Sequence, residues 1–81
     1  MLAEDPNAAA VEAVTEYIKS EADAGRSLKQ ADIVSWAKKE GIGPARRGAF
    51  LALLNRGERE LKWVSSKGFK GGRYYYPPTS S

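Results

Sequence analysis

The sequence predicts one α+β domain, three helices followed by a β-hairpin, and three observations carry that expectation. Apolar residues recur at spacings of three and four through three successive segments, the signature of amphipathic helices. The second and third of these are separated only by the tight connection Gly41-Ile42-Gly43-Pro44. Two runs rich in β-formers, residues 61–66 and 73–77, then flank the loop Lys67-Gly68-Phe69-Lys70-Gly71-Gly72, which is the pattern of a hairpin with a long tip.

The first helix is expected over residues 6–24. Asp5 serves as its N-cap and Pro6 takes the first helical position, where a missing N–H costs nothing. Ala8, Val11, Val14, Ile18 and Ala22 line one face, with Tyr17 beside them, while Glu12, Glu16 and Lys19 fall on the other. Gly25 stops the helix by accepting a left-handed conformation. Ser27 and Gln30 have the spacing of a capping box for the second helix. The alternative is a short extended stub at Leu28 that moves the start by a residue or two. Ala31, Ile33, Val34 and Ala37, joined by Trp36, give the buried side. Lys38 and Lys39 suit the negative C-terminal end, and Gly41 closes the helix.

Ile42 is expected to plug the turn, and Pro44 to open the third helix. Phe50, Leu51, Leu53 and Leu54 form its apolar stripe, and Asn55-Arg56-Gly57 closes it. On that reading Gly48 is interior and costs about 1 kcal/mol relative to alanine. Pro77-Pro78 ends the hairpin, since proline donates no ladder hydrogen bond. The domain is expected to span residues 1–81, with 1–5 and 78–81 as flexible ends.

Composition narrows the chemistry. The 81 residues include no cysteine and no histidine, which excludes disulfides, cysteine–histidine zinc sites and imidazole catalysis. No signal-peptide pattern or long apolar run is present, and a cytoplasmic location is the expectation. The net charge of +3 hides a division. Residues 1–25 hold six acids and one base, whereas residues 26–81 hold twelve bases and four acids. An acidic first helix opposite one basic surface is the arrangement this predicts, and such a surface attracts polyanions. Glu12 and Glu16 stand one helical turn apart on a solvated face, and Glu58 and Glu60 lie near Arg56 and Arg59 as surface ion pairs. No enzyme activity and no cofactor are expected.

The elements Lys29-Gln30-Ala31-Asp32-Ile33-Val34, Gly41-Ile42-Gly43, Phe50-Leu51-x-x-Leu54 and Trp63-Val64…Arg73-Tyr74-Tyr75-Tyr76 resemble the winged helix-turn-helix superfamily over nearly the whole chain. More loosely, residues 41–76 are similar to winged-helix tails of plasmid and phage replication helicases and primases. The resemblance implies that the third helix meets DNA and that the hairpin loop, the wing, lies against neighbouring backbone. With Phe50, Leu51 and Leu54 inward, about 100° per residue puts Ala45, Gly48, Ala52 and Arg56 outward. Arg46 and Arg47 flank the path in the first turn, where open N–H groups favour phosphate. Close approach to a ligand would account for Gly48; packing under another element, or a later helix start, would do so equally.

Ala45, Gly48 and Ala52 cannot contact base edges, so phosphate-dominated, weakly sequence-specific binding is expected. Lys67, Lys70 and Arg73 surround three glycines in the wing, and they either pair with phosphates or guard a hairpin edge. Phe69 either stacks on an unpaired base or folds back onto the core. Alternation puts Tyr75 on one sheet face and Tyr74 and Tyr76 on the other. This run, Trp36 and Trp63 read better as core than as a stacking platform. The leading expectation is therefore a non-catalytic module that binds duplex or single-stranded DNA, accessory to a larger protein in replication or mobile-element biology. Two others stand beside it: a protein-interaction winged helix, and RNA binding through the same basic surface. No membrane and no small-molecule substrate are expected as partners.

Overall fold

A computed structural model describes residues 6–68 and 72–78. Along them run α1 (Pro6–Asp23), β1 (Leu28–Lys29), α2 (Gln30–Glu40), α3 (Arg47–Arg59), β2 (Val64–Lys67) and β3 (Arg73–Tyr76). The strands make one antiparallel sheet in the order β1-β3-β2. Three helices and a small antiparallel sheet are the α+β layout that the periodicity predicts.

All three helices end in the same hydrogen-bonded turn, in which a left-handed residue lets the next N–H reach back to a carbonyl five residues earlier. In α1 the left-handed residue is Gly25, and Arg26 N–H donates to Glu21 O at 2.9 Å. In α2 it is Gly41, and Ile42 N–H donates to Ala37 O at 2.8 Å. That bond turns Ile42 back onto the core, so the expected plug of the turn is real and has a backbone cause. In α3 the left-handed residue is Leu61, with φ +62° and 75% exposure. Lys62 N–H there donates to Gly57 O at 2.9 Å. At the end of α1 the Arg26 guanidinium makes two hydrogen bonds to Glu21, at 3.0 and 2.8 Å, and holds that carboxyl below its ordinary pKa.

Several boundaries differ from the expectation. The Ser27–Gln30 capping box does not form. Leu28 and Lys29 instead pair with Tyr75 and Tyr74, and the Asp32 carboxylate accepts the Lys29 N–H at 3.2 Å. The pairing gives the backbone of Leu28 and Lys29 and the outer edge of β3 hydrogen-bond partners. Pro44 does not open α3, which starts at Arg47; Ala45 and Arg46 belong to the connection. The connection wraps the Phe50 ring, since a Cβ on Gly43 would stand 3.1 Å from it. Gly57 does not close α3 either. The helix continues to Arg59 because the Trp63 indole lies directly on Gly57, where a Cβ would fall inside the ring. Asp5, the expected N-cap of α1, lies outside the described residues.

The core lies between the helices and one face of the sheet. Val11, Val14 and Ile18 of α1 meet Ile33 and Ala37 of α2, Phe50, Leu53 and Leu54 of α3, Leu28, Tyr75 and Trp63. Trp63 is wholly buried and its indole N–H donates to Leu54 O at 3.1 Å. Ala10 is buried while Ala8 is exposed, a small rotation from the face expected for α1. Trp36 is half-buried, its ring stacked on Tyr17 at 4.1 Å and 5°. Both tryptophans are therefore core or core-edge residues.

Candidate nucleic-acid interface

Which side of α3 faces solvent follows from which residues it buries. Phe50, Leu53, Leu54 and Gly57 are buried. At about 100° per residue their mean direction lies opposite Gly48, Ala52, Asn55 and Arg59. All four of those are exposed. Leu53 and Gly57 take the place of the half-buried Leu51 in the buried stripe, which turns the outer face by about 60° from the one expected on Phe50, Leu51 and Leu54. Gly48 and Ala52 stay on it. Arg56 leaves it, and Asn55 and Arg59 take its place.

Arg56 borders α1 instead. Its Nε donates to Glu60 Oε2 at 3.0 Å, and the two share a hollow with Ala8, Glu12 and Lys62. The placement of Arg56 among the outward contacts is thus corrected. So is the expectation of acids and bases on opposite sides, because Glu12 and Glu60 stand beside Arg56 and Lys62. The missed pair, Asn55 and Arg59, had one available signal. Gly57 lies in register with Phe50 and Leu53–Leu54, which is the position of a packed helical glycine rather than a stop.

The start of α3 is open. Arg46 is its N-cap with backbone in the extended region, and no side chain caps the first turn. The first helical bond runs from Phe50 N–H to Arg46 O at 2.9 Å, so the N–H groups before Phe50 have no intrahelical acceptor. Arg46, Arg47 and Gly48 are exposed there, as is Ala45 just before. Gly48 is the second helical residue, with nothing within 4 Å of a Cβ built on it. Its expected interior penalty does not arise. Among the described residues, Arg46, Arg47 and Arg59 have no ion-pair partner.

The hairpin is tied to α3 by a relay of side chains. Arg73 Nη1 donates to Ser65 Oγ at 2.9 Å, and Ser65 Oγ–H donates to Glu58 Oε1 at 2.6 Å. Lys67 and Arg73 stand directly opposite each other across the strands, both exposed. Like charges in that register repel unless an anion lies between them. Phe69 and Lys70 fall outside the described residues. Tyr75 is buried and its hydroxyl accepts a hydrogen bond from Gln30 Nε2 at 3.1 Å, whereas Tyr76 is 41% exposed. Burial raises the Tyr75 pKa and keeps the phenol neutral. The core reading thus holds for Tyr75 and not for Tyr76.

Among the described residues no group of three metal-binding side chains gathers, and no helix is long and apolar enough to cross a membrane. Comparison with known protein families, characterised proteins and solved structures finds no match to this chain.

Proposed function

We propose that the domain is a winged-helix module that grips duplex DNA through α3 and the β2–β3 hairpin, mainly by its phosphates. The observation that carries this reading is the exposed side of α3. Arg46 and Arg47 flank an uncapped first turn, Gly48 and Ala52 leave the backbone bare, and Arg59 extends the cationic track. A phosphate at such a turn meets open N–H groups, the positive end of the helix dipole and two guanidinium groups. Lys67 and Arg73 add a second cationic pair on a hairpin that the Ser65–Glu58 bond holds against α3. Lys70 and Phe69 extend the same tip in sequence. Service to a larger replication protein is part of the proposal and rests on the likeness of residues 41–76 alone.

Asn55 and Arg59 modify the expected lack of specificity. Asn can pair bidentately with adenine and Arg with guanine in the major groove. Their position on the bare face gives a modest base preference over a phosphate-dominated affinity.

A fluorescence titration with a short duplex tests the reading. With Arg46, Arg47, Lys67 and Arg73 on phosphates, a fourfold rise in salt weakens binding roughly 100-fold. An Arg46→Ala/Arg47→Ala variant binds all sequences more weakly and shows a shallower salt slope. Asn55→Ala and Arg59→Ala narrow the differences between sequences. Absence of binding at low salt, or an affinity indifferent to salt, overturns the proposal.

A further inference from the structure

The sheet has a second face, and it is uncovered. Tyr75 and its cross-strand neighbours Leu28 and Ser65 point toward the helices, so the alternate positions point away. These are Lys29, Tyr74 and Tyr76, with Ser66 and Val64 on β2 directly opposite the two tyrosines. Tyr76 is 41% and Val64 37% exposed, two of the three large apolar residues that the described chain leaves in solvent. The Lys29 ammonium lies 5.9 Å over the Tyr74 ring. The Tyr74 ring in turn covers Gly68 so closely that no Cβ fits beneath it, which holds the ring in place.

We propose that this face binds single-stranded nucleic acid, with Tyr74 and Tyr76 as stacking surfaces for two bases. Two residues apart on one strand, the two tyrosines leave the backbone about 6.8 Å from each other, room for one splayed base on each. Lys29 is the one ionic strand residue on this face, since Lys67 and Arg73 alternate onto the helix side with Ser65 and Tyr75, and no strand carries a carboxylate. The nearest acid in sequence, Asp32, is engaged by the Lys29 N–H. A lysine with no strand carboxylate beside it favours an anionic ligand. Aromatic rings with a single aliphatic neighbour, Val64, favour one with exposed bases over a protein, because a stable protein interface covers about 800 Å² on each side. The face lies across the sheet from the α3 surface and does not depend on it. A domain with both would hold a junction between paired and unpaired strands.

The test is fluorescence anisotropy with labelled oligothymidylate and oligouridylate of about 12 nucleotides, beside a short duplex, at about 20 mM salt. Tyr74→Ala/Tyr76→Ala is expected to weaken single-strand binding at least about 20-fold and duplex binding less than twofold. Lys29→Glu acts in the same direction. Amide shift mapping on the unmodified protein keeps the test independent of how the variants fold. Shifts induced by the single strand at Lys29, Val64, Tyr74 and Tyr76 support the proposal. Shifts confined to α3, single-strand affinity unchanged in the double variant, absence of single-strand binding, or a dimer that Tyr76→Ala dissolves would each overturn it. Loss of the duplex arm alone sinks the α3 reading and leaves this one standing.

Discussion

Gly48 illustrates how a residue's meaning depends on one local fact. Sequence spacing marks it as an interior helical glycine in need of compensation, whereas it is the second residue of α3 with open space around it. Nothing within the fold requires glycine there. Gly48→Ala should therefore stabilise the free protein by about 0.5–1 kcal/mol, by restricting the unfolded chain. If the backbone of α3 closes onto DNA, the same methyl group lowers duplex affinity at least about fivefold. Thermal melting and a duplex titration on one preparation check both halves, and unchanged affinity would show that the backbone stays away. Arg56 is the converse case. Its charge, its place in α3 and its pairing with Glu60 four residues on are legible, but its position beside α1 comes from the packing of Leu53 and Gly57.

Among the elements, helices were the most legible because a 3.6-residue period has to be written into the chain to bury one face. The hairpin came next, marked by its β-formers and glycine-rich tip. The ends were less so, and α3 shows why. Its last turn uses Leu61 in a left-handed conformation, in the place that Gly25 and Gly41 occupy at the other two helices. No glycine marks the stop, so the local pattern pointed to Gly57 instead. A non-glycine residue in that region costs about 1–2 kcal/mol. Because Leu61 is 75% exposed, it gives up little burial on replacement. Leu61→Gly should raise stability by about 0.5–1 kcal/mol after the added flexibility of the unfolded chain is counted. Denaturant unfolding measures it, and a destabilised variant would mean that Leu61 packs against something.

At the scale of the molecule, one core is built from five of the six elements and from Trp63 in the α3–β2 connection, and no polar or charged residue is buried among the described ones. Trp63 is its keystone: it enters from the α3–β2 connection, lies on Gly57 and hydrogen-bonds Leu54. Gly57→Ala forces the indole out of that position and should cost about 2–3 kcal/mol. For a domain of this size that lowers the melting temperature by roughly 8–20 °C, with Trp63 fluorescence reporting the loss. A shift within 2 °C or so would show that the indole relocates cheaply. The order of elements, the amphipathic faces of α1 and α2 apart from the exposed Ala8 and Ala31, the alternation of the three tyrosines and the cationic character of the second half were written in the sequence alone, because each depends on spacing between near neighbours. Where α3 begins and ends, which of its sides meets solvent, and which sheet face stays bare were decided only by the tertiary structure. Those outcomes turn on Phe50, Trp63 and Leu28 meeting chain segments distant in sequence, and no local period encodes such a meeting.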